Sequence, residues 1–366
     1  MHTSPVLDSH VLARAEPTPF SPDRCTVFLG RDAVLAQQEM LNELSSRCGQ
    51  EGAMEDLAYY FTAPWKVPCL LVLRTSSGEP WAAALFFQYR LRGFSTGVYV
   101  PGDYEGERNV VAPPAERAAV ARHVTQYLLD RGANLTLITL MDADFAADPA
   151  SVPAHYGAAT RFRQLAHTLP VAATFDATLA PMGAHTRRNL RAARRRCQKD
   201  VAATFVAVPE ISEAEFLAFN RLCTYSVTDE VARWRYASAR AYGLFVGLRA
   251  GDGSWLSIVG GRHSRGITHV DWQMNHAAFP QLSLGTATRS WLIEYEISRG
   301  TTALRFEGGT PHSMGSAFRV QSAGSLMLVR RWLPIQLLRK LLPILLPKNF
   351  LVKIFCSPDF HWHTAR

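Results

Sequence analysis

The chain has 366 residues, 48% hydrophobic, 10% aromatic and 19% charged, a balance that excludes an intrinsically disordered polypeptide. At roughly 150 residues per domain, its length exceeds one ordinary core and suggests about two. A formal net charge of +8 directs attention to anionic partners, whether phosphates, nucleic acid or an acidic membrane surface, without choosing among them.

Residues 1–23, with Pro5, Pro17, Pro19 and Pro22, read as a poorly ordered arm. They hold no apolar run behind a positive start, so no secretory signal is read and a cytoplasmic location is expected. After "CTVFL", Val34, Leu35, Met40, Leu41 and Leu44 recur at helical intervals, and Gly49 supplies a stop. The stretch "PCLLVLRTSSGEPWAAALFFQYRLRGFSTGVYV" gives three apolar runs separated by "SSGEP" and "LRG", the pattern of a strand hairpin followed by a third strand. "PPAERAAVARHVTQYLLDRG" predicts a helix with Pro at its start and Gly at its end, and "NLTLITL" a short strand.

Residues 185–200, "HTRRNLRAARRRCQKD", then carry seven Lys or Arg side chains. A helix here puts Leu190, Ala193 and Cys197 on one face and spreads Arg187, Arg188, Arg191, Arg194, Arg195 and Lys199 over the rest. Either this is a solvated basic helix, or some of its arginines hold an anionic substrate, a carrier phosphate or RNA.

The second half repeats the grammar of the first. "VAATFVAV" is a strand and "SEAEFLAFNRLCTYSV" a helix, with Ser212 and Glu215 at capping-box spacing. "GLFVGLRAGDGSWLSIVGGRHSRGITHVDWQMN" is a three-strand meander, "GTATRSWLIEYEISRG" a helix ending at Gly300, and "TALRFEGG" a strand. Two copies of helix, antiparallel meander, helix and strand imply an α+β chain of two similar domains, each a mixed, mostly antiparallel sheet flanked by helices. The expected division is an arm at 1–23, an N-terminal domain at 24–175, a C-terminal domain at 176–332 and a basic, apolar segment at 333–366. That last segment contains Arg339, Lys340, Lys348 and Lys353, and Pro343 and Pro347 interrupt it, so it does not span a bilayer. Packing onto the second domain is the first expectation for it, and peripheral attachment to anionic lipid at the inner face of the membrane the second.

The six cysteines, Cys25, Cys48, Cys69, Cys197, Cys223 and Cys356, form no CxxC pair, so buried free thiols are expected rather than a zinc or redox motif. His263, His269 and His312 lack ligand-like spacing, and no metal is expected. A GxS nucleophile elbow and a GxxxxGK[ST] loop are both absent from the sequence, which disfavours hydrolases and P-loop enzymes.

Over roughly residues 24–335, through "RRNLRAARRR", "ISRG" and the strand end "LRFEGG", the chain resembles bacterial tandem GNAT-type acyltransferases, called CelD-like, which are relatives of the FemAB peptidyltransferases. The resemblance implies two tandem GNAT-like domains and direct transfer of an acyl or aminoacyl group to an amine or hydroxyl. The donor would be an acyl-CoA, acetyl-CoA or longer, or a charged tRNA. The acceptor would be a small molecule or a glycan- or lipid-linked group. Phe318 and Arg319 stand where many relatives have a Tyr-Lys pair.

The resemblance further implies a phosphate cradle at the start of the helix after the second meander. Gly285, Thr286 and Thr288 would admit a pyrophosphate there, and Arg289 would add charge. The corresponding "NVVAPPAER" of the first domain has paired prolines that remove donors, which marks a non-binding copy. Candidate groups to deprotonate or orient the acceptor are Asp271, on the strand "THVDWQMN", and Glu307, at the end of "LRFEGG". Strict alternation puts His269 on the same strand face as Asp271. The plain alternative for Asp271 is a strand carboxylate satisfied by its neighbours. Arg187, Arg188 and Arg191, in the first turns of the basic helix, are the candidate substrate-binding arginines because they lie nearest the expected domain junction.

Overall fold

Short polar turns separate the apolar runs of each meander, and each folds as three antiparallel strands. The computed structural model describes residues 20–50, 54, 57, 66–91, 94–101, 109–140, 156–207, 210–264, 266–306, 314–330, 337, 339–340, 352 and 355–363. The first half contains β1 (Phe20–Leu29), α1 (Arg31–Leu35), α2 (Gln38–Arg47), β2 (Lys66–Thr75), β3 (Pro80–Leu91), β4 (Phe94–Val100), β5 (Val110–Val111), α3 (Arg117–Asp130), β6 (Leu135–Leu140) and β7 (Tyr156–Pro170). β1 starts inside the stretch read from sequence as an arm. The first helix expected from sequence is broken into α1 and α2 at Ala36–Gln37.

The second half contains α4 (Phe175–Leu179), α5 (Ala184–Val201), β8 (Thr204–Ala207), α6 (Glu213–Arg221), α7 (Asp229–Tyr242), β9 (Gly243–Arg249), β10 (Trp255–Ser264), β11 (Ile267–Asn275), α8 (Leu284–Ser298), β12 (Ala303–Phe306) and β13 (Arg319–Arg330). β14 (His361–His363) follows. Helix α7 escapes a periodicity reading because the residues it buries, Ala232, Ser238 and Ala239, are small and form no large apolar stripe. The capping box of α6 is formed, with Ser212 and Glu215 bonded reciprocally.

The duplicated order recurs in the topology. β2, β3 and β4 form an antiparallel meander, and β6 returns parallel to β4 after α3. β9, β10 and β11 do the same, and β12 returns parallel to β11 after α8. The halves join by exchanging strands. β13 inserts between β6 and β7, and β7 crosses to pair with β12, so the described strands form one continuous 14-stranded sheet.

In the second half, helices cover both faces of the sheet. On one face α8 and α5 pack Leu292, Ile293 and Leu190 against Val246, Val259, Val270 and Leu304. On the other, α6 and α7 pack Phe216, Phe219, Ala232 and Ala239 against Phe245, Ile258, Trp272 and Met274. Each fully buried Leu or Ile is worth about 1.5–3 kcal/mol in removed apolar surface. In α5, Leu190, Ala193 and Cys197 are the buried residues, as the spacing predicts. The described part of the C-terminal segment differs from expectation. Phe355 and Phe360 pack with Val100, Leu137, Ala159, Met327 and Val329, and β14 pairs with β7. These aromatics therefore cover the sheet of the first half and the exchanged β13, because the strand exchange brings the chain end to that side.

A β-bulge interrupts the pairing of β10 with β11. Gly260 faces Trp272 and Gly261 faces Val270, which leaves Asp271 as the extra residue. Neither glycine has room for a side chain. A Cβ on Gly260 would lie 2.0 Å from Trp272 Cζ2, and one on Gly261 would lie 1.9 Å from the carbonyl oxygen of His269. The bulge also shifts the phase of β11, because Val270 belongs to the α8-side core while Trp272 and Met274 belong to the α7-side core. Gly260→Ala is expected to lower stability by about 1–3 kcal/mol through overpacking. Pairing it with Trp272→Phe, which shortens the colliding ring, is expected to recover part of that loss in denaturant melts.

Candidate active site

The open part of the second half lies just past the bulge. Among the described residues β12 pairs with β11 only over Ile267–Val270, and the same edge is next met at Asn275, whose carbonyl accepts from the Thr224 N–H at 3.0 Å, so the stretch left uncovered there is Asp271–Met274. Strand backbone left in this way offers donors and acceptors to an extended ligand. Above the same stretch, on the α8 face, lies the start of α8. Gln273 Nε2 donates to the carbonyl of Gly285 at 3.3 Å and to Asn275 Oδ1 at 3.2 Å, and Ser257 Oγ donates to Asn275 Oδ1 at 2.9 Å. This polar ladder fixes the helix start over the open edge.

The start of α8 has an unusual geometry. Ser283, its N-cap, is left-handed at φ 52° and ψ 50°, and its side chain makes no cap bond. The N–H groups of Thr286 and Ala287 return to the carbonyl of Ser283, which leaves those of Leu284 and Gly285 as the open first-turn donors. They point along a helix dipole that favours anions. A Cβ on Gly285 would meet nothing closer than Asn275 Nδ2 at 3.5 Å, so glycine here is not a packing requirement.

The other cradle residues divide. Thr288 is fully buried and donates its hydroxyl to the carbonyl of Leu284 at 2.8 Å. It braces its own helix and has no proton left for a ligand. Arg289 faces the sheet, its guanidinium carbon 5.7 Å from the ring centroid of Phe306, and Phe306 stacks on Phe318 at 5.7 Å and 14°. Burial pulls Arg289 down to about 10, where it is still a cation at neutral pH, and no carboxylate among the described residues pairs with it.

Asp271 is half-buried at the bulge. Because it is the extra residue, strict alternation no longer sets it on the face of His269. His269 is 1% exposed and accepts from Arg262 Nη2 at 3.3 Å, which makes it a core residue. Glu307 and His312 lie outside the described residues. No group of three metal-ligating side chains occurs among the described residues. The cysteines are free there, with Cys48, Cys69, Cys197 and Cys223 buried.

The arginines of α5 also divide. Arg187 Nη1 donates to the carbonyls of Ala180 and Met182, and Arg191 pairs with Asp176 at 2.5 Å. Arg191 thus holds α4 and Arg187 the turn that follows it, which the sequence could not show because no local pattern pairs these residues. Arg188 is exposed and among the described residues reaches only His185, at 3.5 Å. Arg194 pairs with Glu294 of α8 at 2.5 Å beside the Trp291 ring. Exposed Arg195 and Lys199 have no partner among the described residues. With Arg188 they fall within about 40° of one another on the helix, opposite the buried face.

Sequence reasoning missed Glu296, which is fully buried on α8. Its Oε1 meets His263 Nε2 at 3.1 Å, and its Oε2 accepts from Thr268 at 2.5 Å and Thr301 at 2.6 Å. Burial pushes this carboxyl up, and the bonds from His263, Thr268 and Thr301 outweigh it, leaving the group below its ordinary 4.5. The only signal in sequence was a carboxylate at a core position of an apolar helix. The network clamps the end of α8 to β10 and β11 and so holds its start over the open edge. A carboxyl lowered in the folded state stabilises the protein above its ordinary pKa, and that stability is lost as pH falls through the folded value. Between neutral pH and about pH 3, Glu296→Gln is expected to lose less stability than the parent in urea melts.

No protein-family model matches the chain, and no curated protein does. Among solved structures it is similar to FemX, with 8% identity, 83% of this chain and 98% of that one covered, and a TM-score of 0.51. It is also similar to L-PGS from Bacillus licheniformis, at 15% identity, coverage of 88% and 97%, and a TM-score of 0.49. A third is a tandem GNAT protein from the clavulanic acid biosynthesis pathway, at 13% identity, coverage of 83% and 98%, and a TM-score of 0.48. At such identities the likeness is one of fold. It agrees with the duplicated meander, helix and parallel strand: the chain has a tandem GNAT-like α+β fold, which it shares with FemX.

Proposed function

We propose that this chain is an acyltransferase that moves an acyl group from an acyl-CoA to an amine or hydroxyl by direct transfer, with its working site in the second half. The observation that carries this reading is the placing of the start of α8, through Gln273, over the stretch of β11 that follows Val270, where no described residue of β12 pairs with it. A carrier chain with amide groups suits the open edge of β11, and its phosphates suit the N–H groups of Leu284 and Gly285, with Thr286 beside them. Arg289 adds a cation on the sheet side of the same helix. Asp271, next to the open edge, takes the proton of the attacking group as the new acyl bond forms and the thiolate leaves; Glu307 is the alternative for this role. The first half is a non-binding copy, because Pro113 and Pro114 open the turn before α3 and withhold the donors such a cradle needs.

A second reading is favoured by one observation. The unpaired face of Arg188, Arg195 and Lys199 on α5 suits RNA phosphates, as FemAB-like transfer from an aminoacyl-tRNA would require. Among the described residues no helix is long and apolar enough to cross a membrane. A glycan- or lipid-linked acceptor would therefore be met at the membrane surface, by peripheral contact.

Thermal melts of the full chain with coenzyme A and acyl-CoAs, against ATP and bulk tRNA at two salt concentrations, separate these readings. Coenzyme A at 100 times its Kd is expected to add about 2.7 kcal/mol and to keep its effect at moderate salt. A shift with tRNA alone, collapsing with salt, would transfer the assignment to the second reading, and no shift with any of them would make the protein a non-catalytic binder. Once an acceptor is found, Asp271→Asn and Glu307→Gln are expected to fold normally while at least one slows transfer by about 100-fold or more. Full activity in both would remove the assignment.

A further inference from the structure

On the α7 face of the open stretch, two groups have chemistry that the protein leaves unmet. Arg235 of α7 sets its guanidinium carbon 5.7 Å from the ring centroid of Trp272. It is half-buried, and among the described residues it has no hydrogen-bond acceptor and no carboxylate. Burial pulls this guanidinium below its usual value. The ionisable group nearest in effect is Cys223, a thiol that burial pushes up to about 12 and so keeps neutral. Beneath Arg235, Trp272 is 6% exposed, and its Nε1–H is enclosed without an acceptor among the described residues.

The neighbouring polar groups are all satisfied. Arg221 pairs with Asp229 at 2.8 Å, Arg233 with Glu213 at 3.2 Å, and Tyr236 donates to the carbonyl of Ile211 at 3.0 Å. Exposed Arg221 and Arg233 have carboxylates and exposed Arg240 donates to the Tyr236 hydroxyl at 3.2 Å, whereas half-buried Arg235 has no such partner among the described residues, the reverse of what stability alone selects. A buried N–H left without an acceptor costs about 1–3 kcal/mol. The Trp272 N–H is such a donor, and the guanidinium over its ring has no anion among the described residues; together they suit an anion from outside the chain.

Position supplies the rest. Trp272 directly follows Asp271, on the stretch of β11 with which no described residue of β12 pairs. The start of α8 approaches that stretch through Gln273 from one face, and Arg235 approaches it through Trp272 from the other. A donor held under α8 and an anion held at Arg235 thus flank Asp271. We propose that Arg235 and the Trp272 indole N–H bind a carboxylate or phosphate of the acceptor, so that the acceptor is a molecule carrying an acidic group close to its nucleophile. The word acceptor rests on the transfer reading; the anion site rests on its own geometry.

The test uses the full chain at ionic strength held constant with sodium chloride. Glutarate, inorganic phosphate and uncharged glutaramide are titrated into thermal melts, with coenzyme A in parallel. The expected result is a rise in Tm with glutarate or phosphate, which also tells carboxylate from phosphate, and none with glutaramide. Arg235→Gln should bind the acid at least about tenfold more weakly, while its unliganded Tm equals or exceeds that of the parent, because an unpaired half-buried charge has been removed. Arg235→Lys should keep part of the response, and Trp272→Phe should weaken it several-fold.

No response to either acid in the parent chain, or an acid response unchanged in Arg235→Gln, would overturn the proposal. So would a lower unliganded Tm of Arg235→Gln with the acid response intact, which would make the arginine a brace for α7. An Arg235-dependent acid response without any coenzyme A response would leave the anion site standing and remove the carrier reading. A coenzyme A response with no acid response would do the opposite.

Discussion

Two glycines on β10 set the geometry on which the second half depends. The backbone of Gly261 meets the carbonyl of His269, and the ring of Trp272 lies across Gly260, both at separations that no side chain tolerates. β11 answers by bulging at Asp271 and changing phase. That single residue sends Val270 into the core under α8 and Trp272 and Met274 into the core under α7. Among the described residues, strand β12 pairs with β11 no further than Val270, and the bulge sets the Asp271 carboxylate just past the end of that pairing.

A wide strand exchange supports this small irregularity. β7 and β13 run side by side over Tyr156–Thr168 and Arg319–Arg330, and each pairs on its other edge with a strand of the opposite half. The halves consequently share backbone hydrogen bonds. Helix α8 is fastened separately. Glu296 is clamped at the far end by His263, Thr268 and Thr301, and Gln273 at the near end. A buried carboxylate earns such a place only when hydrogen bonds replace its water.

The arginines show how charge is distributed around this frame. Most cations of the second half close a structural contact: Arg187 on the carbonyls of Ala180 and Met182, Arg191 on Asp176, Arg194 on Glu294, Arg221 on Asp229 and Arg233 on Glu213. Arg289 and Arg235 differ from these. Both are half-buried over an aromatic ring and both are shifted down by burial, Arg289 over Phe306 of β12 and Arg235 over Trp272 of β11. Among the described residues neither has a carboxylate partner.

Much of this architecture was legible in the residues. The alternation of apolar runs and turns gave both meanders, Ser212 and Glu215 gave a helix start, and Leu190, Ala193 and Cys197 gave the buried face of α5. Those features depend on spacing along a few turns, which the sequence states directly. The exchange of β7 and β13, the covering of the first half by Phe355 and Phe360, and the capture of Arg191 by α4 depend on residues distant in sequence, and no local pattern reports them. The bulge is the clearest case. "GG" in β10 and "VDW" in β11 are visible separately, and strict alternation put Asp271 beside His269. Only their opposition across the sheet makes Asp271 the extra residue, because the clash that forces the bulge lies between two strands and belongs to neither sequence alone.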